Sequence, residues 1–553
     1  MSTTQKAMGG VGRAVDDRFG GTPFFKSAMK KVFPDHWTFL LGELALYSFV
    51  VLLLTGVYLT LFFKPSMATV VYHGSYIKLN GVPMSEAYAS TLHLSFDVRG
   101  GLLVRQIHHW AALVFISSIF IHMLRHFFTG SYRKPREVNW MIGILLLVLA
   151  LLEGFAGYSL PDDLLSGTGL RIAVGVLEAV PLVGSYLTFF VFGSEYPGTD
   201  FIPRLYSLHI LLIPGILLAL VPLHGIVLTW RVKHTQFPGK ARTERNVVGY
   251  PFFPVFMAKT TALMLSTAGV IALLATLVQI NPIWLYGPYD PTAVSAGAQP
   301  DWYLGFLEGA LRMMPAWDVS ALGHTVSLGV VIPALVVPGV LFGGLAVYPF
   351  VERWVLKDDR YHHTLDRPRN APTRTAIGYA AVTFYGVLWA AGGNDVIAAK
   401  FHVSLYATTW AFRFLIFVAP VVAYVAARRI ALGLQRRDLA VSAHGVETGI
   451  IVQGPDGSFA ESTRPLSEHE SAVVHSKKVF PSVATGGTDP NGVVSPGERR
   501  LLTRTRAWLN RGYHAGDLPA NGHSDGGNGH GGQNGHSSAE AARHEVTASA
   551  DGE

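Results

Sequence analysis

Eight apolar runs, each about twenty residues long, dominate this chain and decide what it can fold into. They occupy residues 39–63, 105–128, 138–160, 205–230, 257–280, 325–350, 374–393 and 407–430. In hydrocarbon every backbone N–H and C=O must be satisfied within the segment, so runs of this kind cross a bilayer as helices. The expected class is an all-α polytopic membrane protein with eight transmembrane helices and a polar C-terminal tail. Composition points the same way: 15% of residues are charged, against roughly 25% in a soluble domain. The 553 residues include no cysteine. That excludes structural disulfides, cysteine–zinc sites, protein-ligated iron–sulfur clusters and covalent c-type haem in this chain. Metal chemistry here must rest on His, Met or carboxylates.

Residues 1–38 are polar, and too long before the first run to be a cleaved signal peptide. The first four runs lie in 39–230 and the last four in 231–430, leaving 431–553 as a tail expected to be largely disordered. Its Gly/Asn/His-rich tract at 521–537 reads as solvated chain before it reads as a metal site. Lys and Arg concentrate in the N-terminal segment and in the second, fourth and sixth connections. More follow the last run (Arg428, Arg429, Arg436, Arg437). The positive-inside rule then places both termini in the cytoplasm. The net charge of +7 is mostly this topology signal and implies no nucleic-acid partner. The connections 64–104, 161–204 and 281–324 are long, and the last is rich in aromatics (Trp284, Tyr286, Trp302, Tyr303, Trp317). Ordered structure is expected on that outer face.

Ionisable groups inside a membrane are costly and default to functional roles. Five histidines lie well inside the runs: His108, His109 and His122 in the second, His209 and His224 in the fourth. Any one alone could equally be a polar residue facing a neighbouring helix. Their spacing says more. His108 and His122 are 14 residues apart, about 40° short of four helical turns, with a rise of about 21 Å. His209 and His224 are 15 apart, about 60° past four turns, with a rise of about 22 Å. Each helix thus shows two imidazoles on nearly one face at two depths, and the pairs His108/His209 and His122/His224 would each supply both axial ligands of a haem. His109 points about 100° away from His108 and cannot share its iron.

Glycines repeat this register. Gly42 and Gly56 in the first run, and Gly143 and Gly157 in the third, are also 14 apart. A flat macrocycle between helices needs neighbours without side chains. Gly154 has no such evident role. Two imidazoles per iron leave no open position, which favours electron transfer over oxygen activation. Arg105, Arg125 and Arg204 stand near these levels, either to neutralise haem propionates or to snorkel to the interface.

Four separated motifs carry a resemblance: GSYRKPREVNW (130–140), GYSLPDD (157–163), PRLYSLH (203–209) and PDWY (300–303). The chain resembles cytochrome b of the bc-type quinol:cytochrome c oxidoreductases over roughly residues 30–430. The single-chain arrangement of all eight runs, with PDWY and a long polar tail, is most similar to the actinobacterial menaquinol-oxidising form. The resemblance implies a four-helix dihaem bundle in 39–230, with two haem b groups. It also implies a respiratory enzyme of the cell membrane that oxidises menaquinol near the outer face. One electron would pass to a Rieske iron–sulfur subunit and on to a c-type cytochrome subunit. The other would descend the haems to reduce quinone near the inner face, generating proton motive force. Relatives are homodimers, and some associate with a terminal cytochrome c oxidase.

For the outer quinol site the resemblance carries over Pro300, Asp301, Trp302 and Tyr303, with Tyr158 and Pro161. Asp301 stands where the family has glutamate, shortening the carboxylate's reach by about 1.5 Å. Glu308 is either an alternate proton relay or a capped surface carboxylate. Asp162 replaces a tryptophan of relatives, and Glu153 is an intramembrane acid; each is a proton group or simply paired. For the inner site Lys259 is kept, Thr260 stands where mitochondrial relatives have aspartate, and Thr229 where they have histidine, with His234 the nearest imidazole. Leu40 occupies the place of the cysteine that binds a third haem in the plastid branch, so none is expected.

Two other readings stay open at this level. One is the dihaem membrane anchor of another quinone-linked dehydrogenase, which lacks PDWY. The other is a proton-coupled transporter, which predicts internal repeats that this chain does not show. The spacing predicts that His108→Leu or His209→Leu removes the outer haem, and His122→Leu or His224→Leu the inner one. His109→Leu should leave both reduced-minus-oxidised haem signals in place, and iron analysis should return two per chain.

Overall fold

The computed structural model describes residue 18 and residues 27–193, 196, 198–293, 299–321, 323–480, 482 and 497–514. The helices that matter for the site are α1 (Trp37–Thr60), α2 (Glu86–Phe96), α3 (Gly101–Thr129), α4 (Glu137–Ser159), α5 (Leu164–Glu178) and α6 (Gly184–Phe192). They continue with α7 (Phe201–Leu228), α8 (Phe252–Leu277), α9 (Gly305–Met313), α10 (Leu328–Leu356), α11 (Pro372–Gly392), α12 (Leu405–His444) and α13 (Gly497–His514). Among the described residues, eight helices are long and apolar enough to cross a membrane: α1, α3, α4, α7, α8, α10, α11 and α12. The all-α polytopic class is borne out.

Local chemistry explains where the helices begin and end. Gly100 and Gly130 flank α3 with φ of 76° and 63°, the left-handed region that glycine enters without strain. Asp163 caps α5 by accepting from the backbone N–H of Leu165 and Ser166. Ser404 caps α12, accepting from the Ala407 N–H. That helix does not stop at 430; it runs on to His444 and ends where Gly445 takes a φ of 85°. Once the apolar run is over, 431–444 contains no proline and a single glycine, Gly433, so the helix continues.

Two π-helical turns widen α7, at Leu208–Leu212 and Leu223–Leu228, each holding one of its histidines. A π-turn absorbs one extra residue. The first holds His209 and runs toward His224, so the extra residue it absorbs brings their fifteen-residue interval close to the fourteen of α3.

The apolar core of the first four spans lies between α1, α3, α4 and α7 and includes Phe49, Phe115, Ile116, Leu147 and Leu217. Outward-facing positions stay apolar and exposed, such as Leu54, Leu211, Leu265 and Phe417, as a lipid-facing surface requires. One end of the bundle carries the Lys/Arg-rich connections and is termed the basic face. The opposite face carries α2, α5, α6, α9 and the short hairpins Thr69–Val71/Pro83–Ser85 and Asp318–Ala321/His324–Ser327. Among the described residues the long connections therefore form regular structure, as their aromatic content suggests.

The GSYRKPREVNW stretch anchors the last four spans to the first four on the basic face. Arg133 pairs with Asp366 at 2.6 Å, and Asp366 also pairs with Arg374 at 2.8 Å. Arg374 continues to Glu352 at 2.8 Å, and Glu352 accepts a hydrogen bond from the Tyr132 hydroxyl at 2.7 Å. Burial pushes the Asp366 carboxyl up, but Arg133, Arg374 and Lys478 outweigh it and hold the group well below the usual carboxylate range.

Part of the polar segment expected to be disordered is folded. A hairpin, Val446–Gln453 with Phe459–Arg464, is followed by a helix at Glu468–Val474 whose start is closed by a Ser467/Glu470 capping box. Helix α13 docks on the basic ends of α10 and α11: the hydroxyls of Tyr513 and Tyr348 are 2.9 Å apart, and Thr373 donates to the Gly512 carbonyl at 3.2 Å. The polar composition hid this because only a narrow stripe of α13 packs, with Ala507 and Asn510 fully buried, among many arginines. The 521–537 tract lies outside the described residues.

Arg374→Ala removes the cation from buried Glu352, leaving it the Tyr132 hydroxyl alone, while Asp366 keeps Arg133. It should lower the stability of the detergent-solubilised protein by about 3–5 kcal/mol, measured by thermal or denaturant unfolding.

Candidate functional site

Four glycines stand against four imidazoles. A Cβ on Gly56 of α1 would lie 3.3 Å from Cε1 of His108, and one on Gly42 2.9 Å from Cε1 of His122. On α4, a Cβ at Gly157 would lie 2.4 Å from Cε1 of His209, and one at Gly143 3.2 Å from Cε1 of His224. The later glycine meets the earlier histidine in both cases, so α1 runs antiparallel to α3, and α4 to α7. The contacts group Gly56 and Gly157 with His108 and His209, and Gly42 and Gly143 with His122 and His224. The glycines thus make room for the rings themselves.

The rings of His108 and His209 face each other with centroids 6.1 Å apart and planes at 82°. Two metal–imidazole bonds of about 2 Å each, plus the ring radii, fill such a gap. Their Nδ1 atoms are held by the protein. Thr55 Oγ1 lies 2.9 Å from Nδ1 of His108. Nδ1 of His209 lies 2.9 Å from Oε1 of Glu153 and 3.2 Å from the Glu153 carbonyl. Tethering one nitrogen fixes ring orientation and leaves Nε2 as the coordinating atom, the usual arrangement around a metal. Glu153, an open question from sequence, is paired. At the other level, His122 carries the ring of His126 against it at 4.4 Å. Among the described residues no group of three or more His, Asp or Glu is placed to hold a bare metal ion. A metal between these pairs would draw its remaining ligands from a macrocycle.

The arginines divide. Arg105 donates to the Asn281 carbonyl at 2.7 Å, while its second terminal nitrogen is buried with no partner. Arg125 lies over the Phe39 ring at 4.2 Å and has two buried nitrogens without a partner. Such stranded donors suit an anionic group between the helices. Arg204 is exposed and bonds the carbonyls of Phe189 and Phe190 at the end of α6, at 3.1 and 2.5 Å.

On the opposite face Pro300 leads into a tight turn, Trp302–Leu304, with Asp301 at its edge. The Asp301 carboxylate sits 3.1–3.2 Å from Nε2 of His109 and accepts from the buried Tyr303 hydroxyl at 3.1 Å. Sequence reasoning set His109 aside from the iron but did not foresee this partner, since the two are 192 positions apart. Gly154 has a role after all: a Cβ there would lie 2.4 Å from the Tyr303 hydroxyl. The Tyr158 hydroxyl is buried and without a partner. Trp302 is pinned through its carbonyl by the indole N–H of Trp389, at 2.9 Å. Glu308 pairs with Arg312 at 2.5 Å, and Arg312 also with Asp395 at 2.7 Å. Burial, only partly offset by Arg312, pushes the Glu308 carboxyl up to about 7. Asp162, beyond Pro161 and held at a φ of 56°, is likewise pushed up to about 7 by burial.

On the basic face Lys259 pairs with Asp35 at 2.6 Å and lies over the Tyr250 ring. The Thr260 hydroxyl bonds both Glu43 and Tyr47 of α1. His234 packs edge-on to Phe39, with Nδ1 3.2 Å from the Thr235 carbonyl. Leu40 lies in the turn that opens α1. Glu43 and Asp35 are the residues sequence reasoning missed here; an acid in the first turn of a span was the available signal.

Fold and site define a class: a polytopic helical membrane protein built around paired imidazoles at two depths. Residues 113–288 match the family described as cytochrome b(N-terminal)/b6/petB. A Streptomyces coelicolor protein named "Cytochrome bc1 complex cytochrome b subunit" is 55% identical over 502 residues, covering 90% of this chain and 91% of the relative. Proteins of the same name from Corynebacterium diphtheriae and Mycobacterium tuberculosis are 52% and 53% identical, each over 82% of this chain and covering 84% and 82% of their own lengths. A solved chain described as "Hyperthermophilic respiratory Complex III" shares the fold with a TM-score of 0.54 at 21% identity, over 74% of this chain and 99% of its own. The chain belongs to the cytochrome b subunits of the cytochrome bc1 complexes, haem b proteins of a quinol–cytochrome c oxidoreductase.

Gly157→Ala should drive a methyl group into His209 and abolish the absorption band of one haem. Gly169→Ala, where a Cβ meets nothing within 4 Å, should leave the spectrum unchanged.

Proposed function

We propose that this chain binds two haem b groups, one between His108 and His209 and one between His122 and His224. Together they would connect a menaquinol-oxidising site on the opposite face with a quinone-reducing site on the basic face. The observation that carries this reading is the matched set of four glycine–imidazole contacts in four antiparallel helices. The stranded nitrogens of Arg105 and Arg125 support it as partners for propionates, one at each level. When bound, the two haems supply a one-electron path of about 21 Å along the helix axes. The quinone is menaquinone by the sequence resemblance.

The chain's own residues manage the protons. Quinol oxidation releases two protons for two electrons, of which the Rieske subunit would take one and the haems, when bound, the other. Asp301, oriented by His109 and Tyr303, accepts the first proton, with the unpartnered Tyr158 hydroxyl free to bond the quinol oxygen. Glu308, poised near neutrality, carries protons to the outer water. Release on one face and uptake on the other charge the membrane. The basic face is cytoplasmic in this reading, with both termini there, and α13 docked on the basic ends of α10 and α11 agrees with that. The chain sits in the cell membrane as part of a homodimeric complex with Rieske and c-type cytochrome subunits, and its polar C-terminal region is available to a terminal oxidase.

Asp301→Asn should slow quinol-driven cytochrome c reduction by about 10²-fold or more with haem content intact; unchanged turnover would discard it as the relay. For Glu308 the sign follows from its raised carboxyl. The group is ionised, and able to take a proton, above about pH 7, so turnover should rise through that pH. Glu308→Gln should flatten that limb of the profile.

A further inference from the structure

We propose that Glu43 is the proton donor of the quinone-reducing site on the basic face, supplying from α1 the carboxylate that Thr260 does not provide from α8. The inference rests on the functional reading above and adds a residue to it. Glu43 lies in the first turn of a span, half-buried, where an acid is costly. Among the described residues no Lys, Arg or His forms an ion pair with it. Its hydrogen-bond partner is the Thr260 hydroxyl, which also bonds the Tyr47 hydroxyl. The three groups make one chain across the α1–α8 contact. Glu43 and Tyr47 are one turn apart, about 6 Å along the helix.

Two neighbours give this chain its direction. Lys259, next to Thr260, pairs with Asp35, and both side chains are about half exposed, at 43% and 53%. Water therefore reaches the edge of the cluster. Gly42, next to Glu43, is the residue that abuts His122. A structural acid would be satisfied by a cation or by several backbone N–H groups. Glu43 instead has one hydroxyl partner, between an aqueous edge and the imidazole that ends the electron path.

The balance is that of quinone reduction. Reduction of the quinone needs two electrons, which a haem held by His122 and His224 would supply, and two protons, which form an O–H bond at each carbonyl oxygen. The Glu43 O–H breaks to supply one proton. The carboxylate left behind is held by Thr260 until water on the basic face restores its proton. The second proton enters from the water that reaches Lys259 and Asp35.

The test uses the whole complex, with its iron–sulfur and c-type cytochrome subunits, driven by menaquinol. Glu43→Gln should retain full haem content and quinol-driven reduction of the b haems. Their reoxidation should slow at least tenfold, so reduced b haem accumulates. Glu43→Asp should recover part of the rate, and Thr260→Asp added to Glu43→Gln should restore it by returning a carboxylate to α8. Wild-type reoxidation in Glu43→Gln would overturn the proposal, as would haem loss in that variant or a slow rate that neither carboxylate variant improves. Absence of b haem from the unsubstituted complex would instead sink the functional reading itself.

Discussion

The structure depends on one constraint: four imidazole rings must be kept inside an apolar bundle, each in one orientation. Hydrocarbon offers no water to solvate them, so the helices have to come close enough to confine them. Glycine does this on α1 and α4 by removing the side chain that would otherwise hold the helices apart. Two of the rings are further fixed through Nδ1, by Thr55 and by Glu153. Helix spacing, ring orientation and the depth of each site all follow from these contacts.

The same economy of polar groups appears at both membrane faces. Acids in or beside the spans are not scattered; each is tied to specific partners. Asp301 is held by His109 and Tyr303, Glu308 by Arg312, and Glu43 by Thr260. The first two lie where the long ordered connections fold back over the bundle, the third where α1 meets α8. Proton chemistry is thus confined to the ends of the electron path, which is what separating charge across a membrane demands.

Much of this was legible in the sequence, because membrane spans leave strong signals. Length and hydropathy locate all eight helices, and intervals of fourteen residues, fifteen in α7, single out four histidines and four glycines. What could not be read has physical causes. The π-turns of α7 are set by tertiary packing, so the sequence placed its two histidines on nearly one face without showing how the fifteen-residue interval is accommodated. The meeting of His109 with Asp301, and of Gly154 with Tyr303, joins residues far apart in the chain and leaves no periodic trace. Helix α12 overran its apolar run because polarity ends a membrane span without ending a helix. Glu43 stayed hidden because a single acid at a span's edge usually just meets the headgroups.

The buried network of Arg133, Asp366, Arg374, Glu352 and Tyr132 has a consequence for assembly. It clamps the second half of the protein onto the first, and the 229–251 connection joins the same contact: the Leu365 N–H donates to the Gln236 carbonyl at 2.8 Å, and Lys478 pairs with both Glu244 and Asp366. Alignment of the halves therefore rests on buried charge pairs and on the connecting backbone together, so loosening either loosens both.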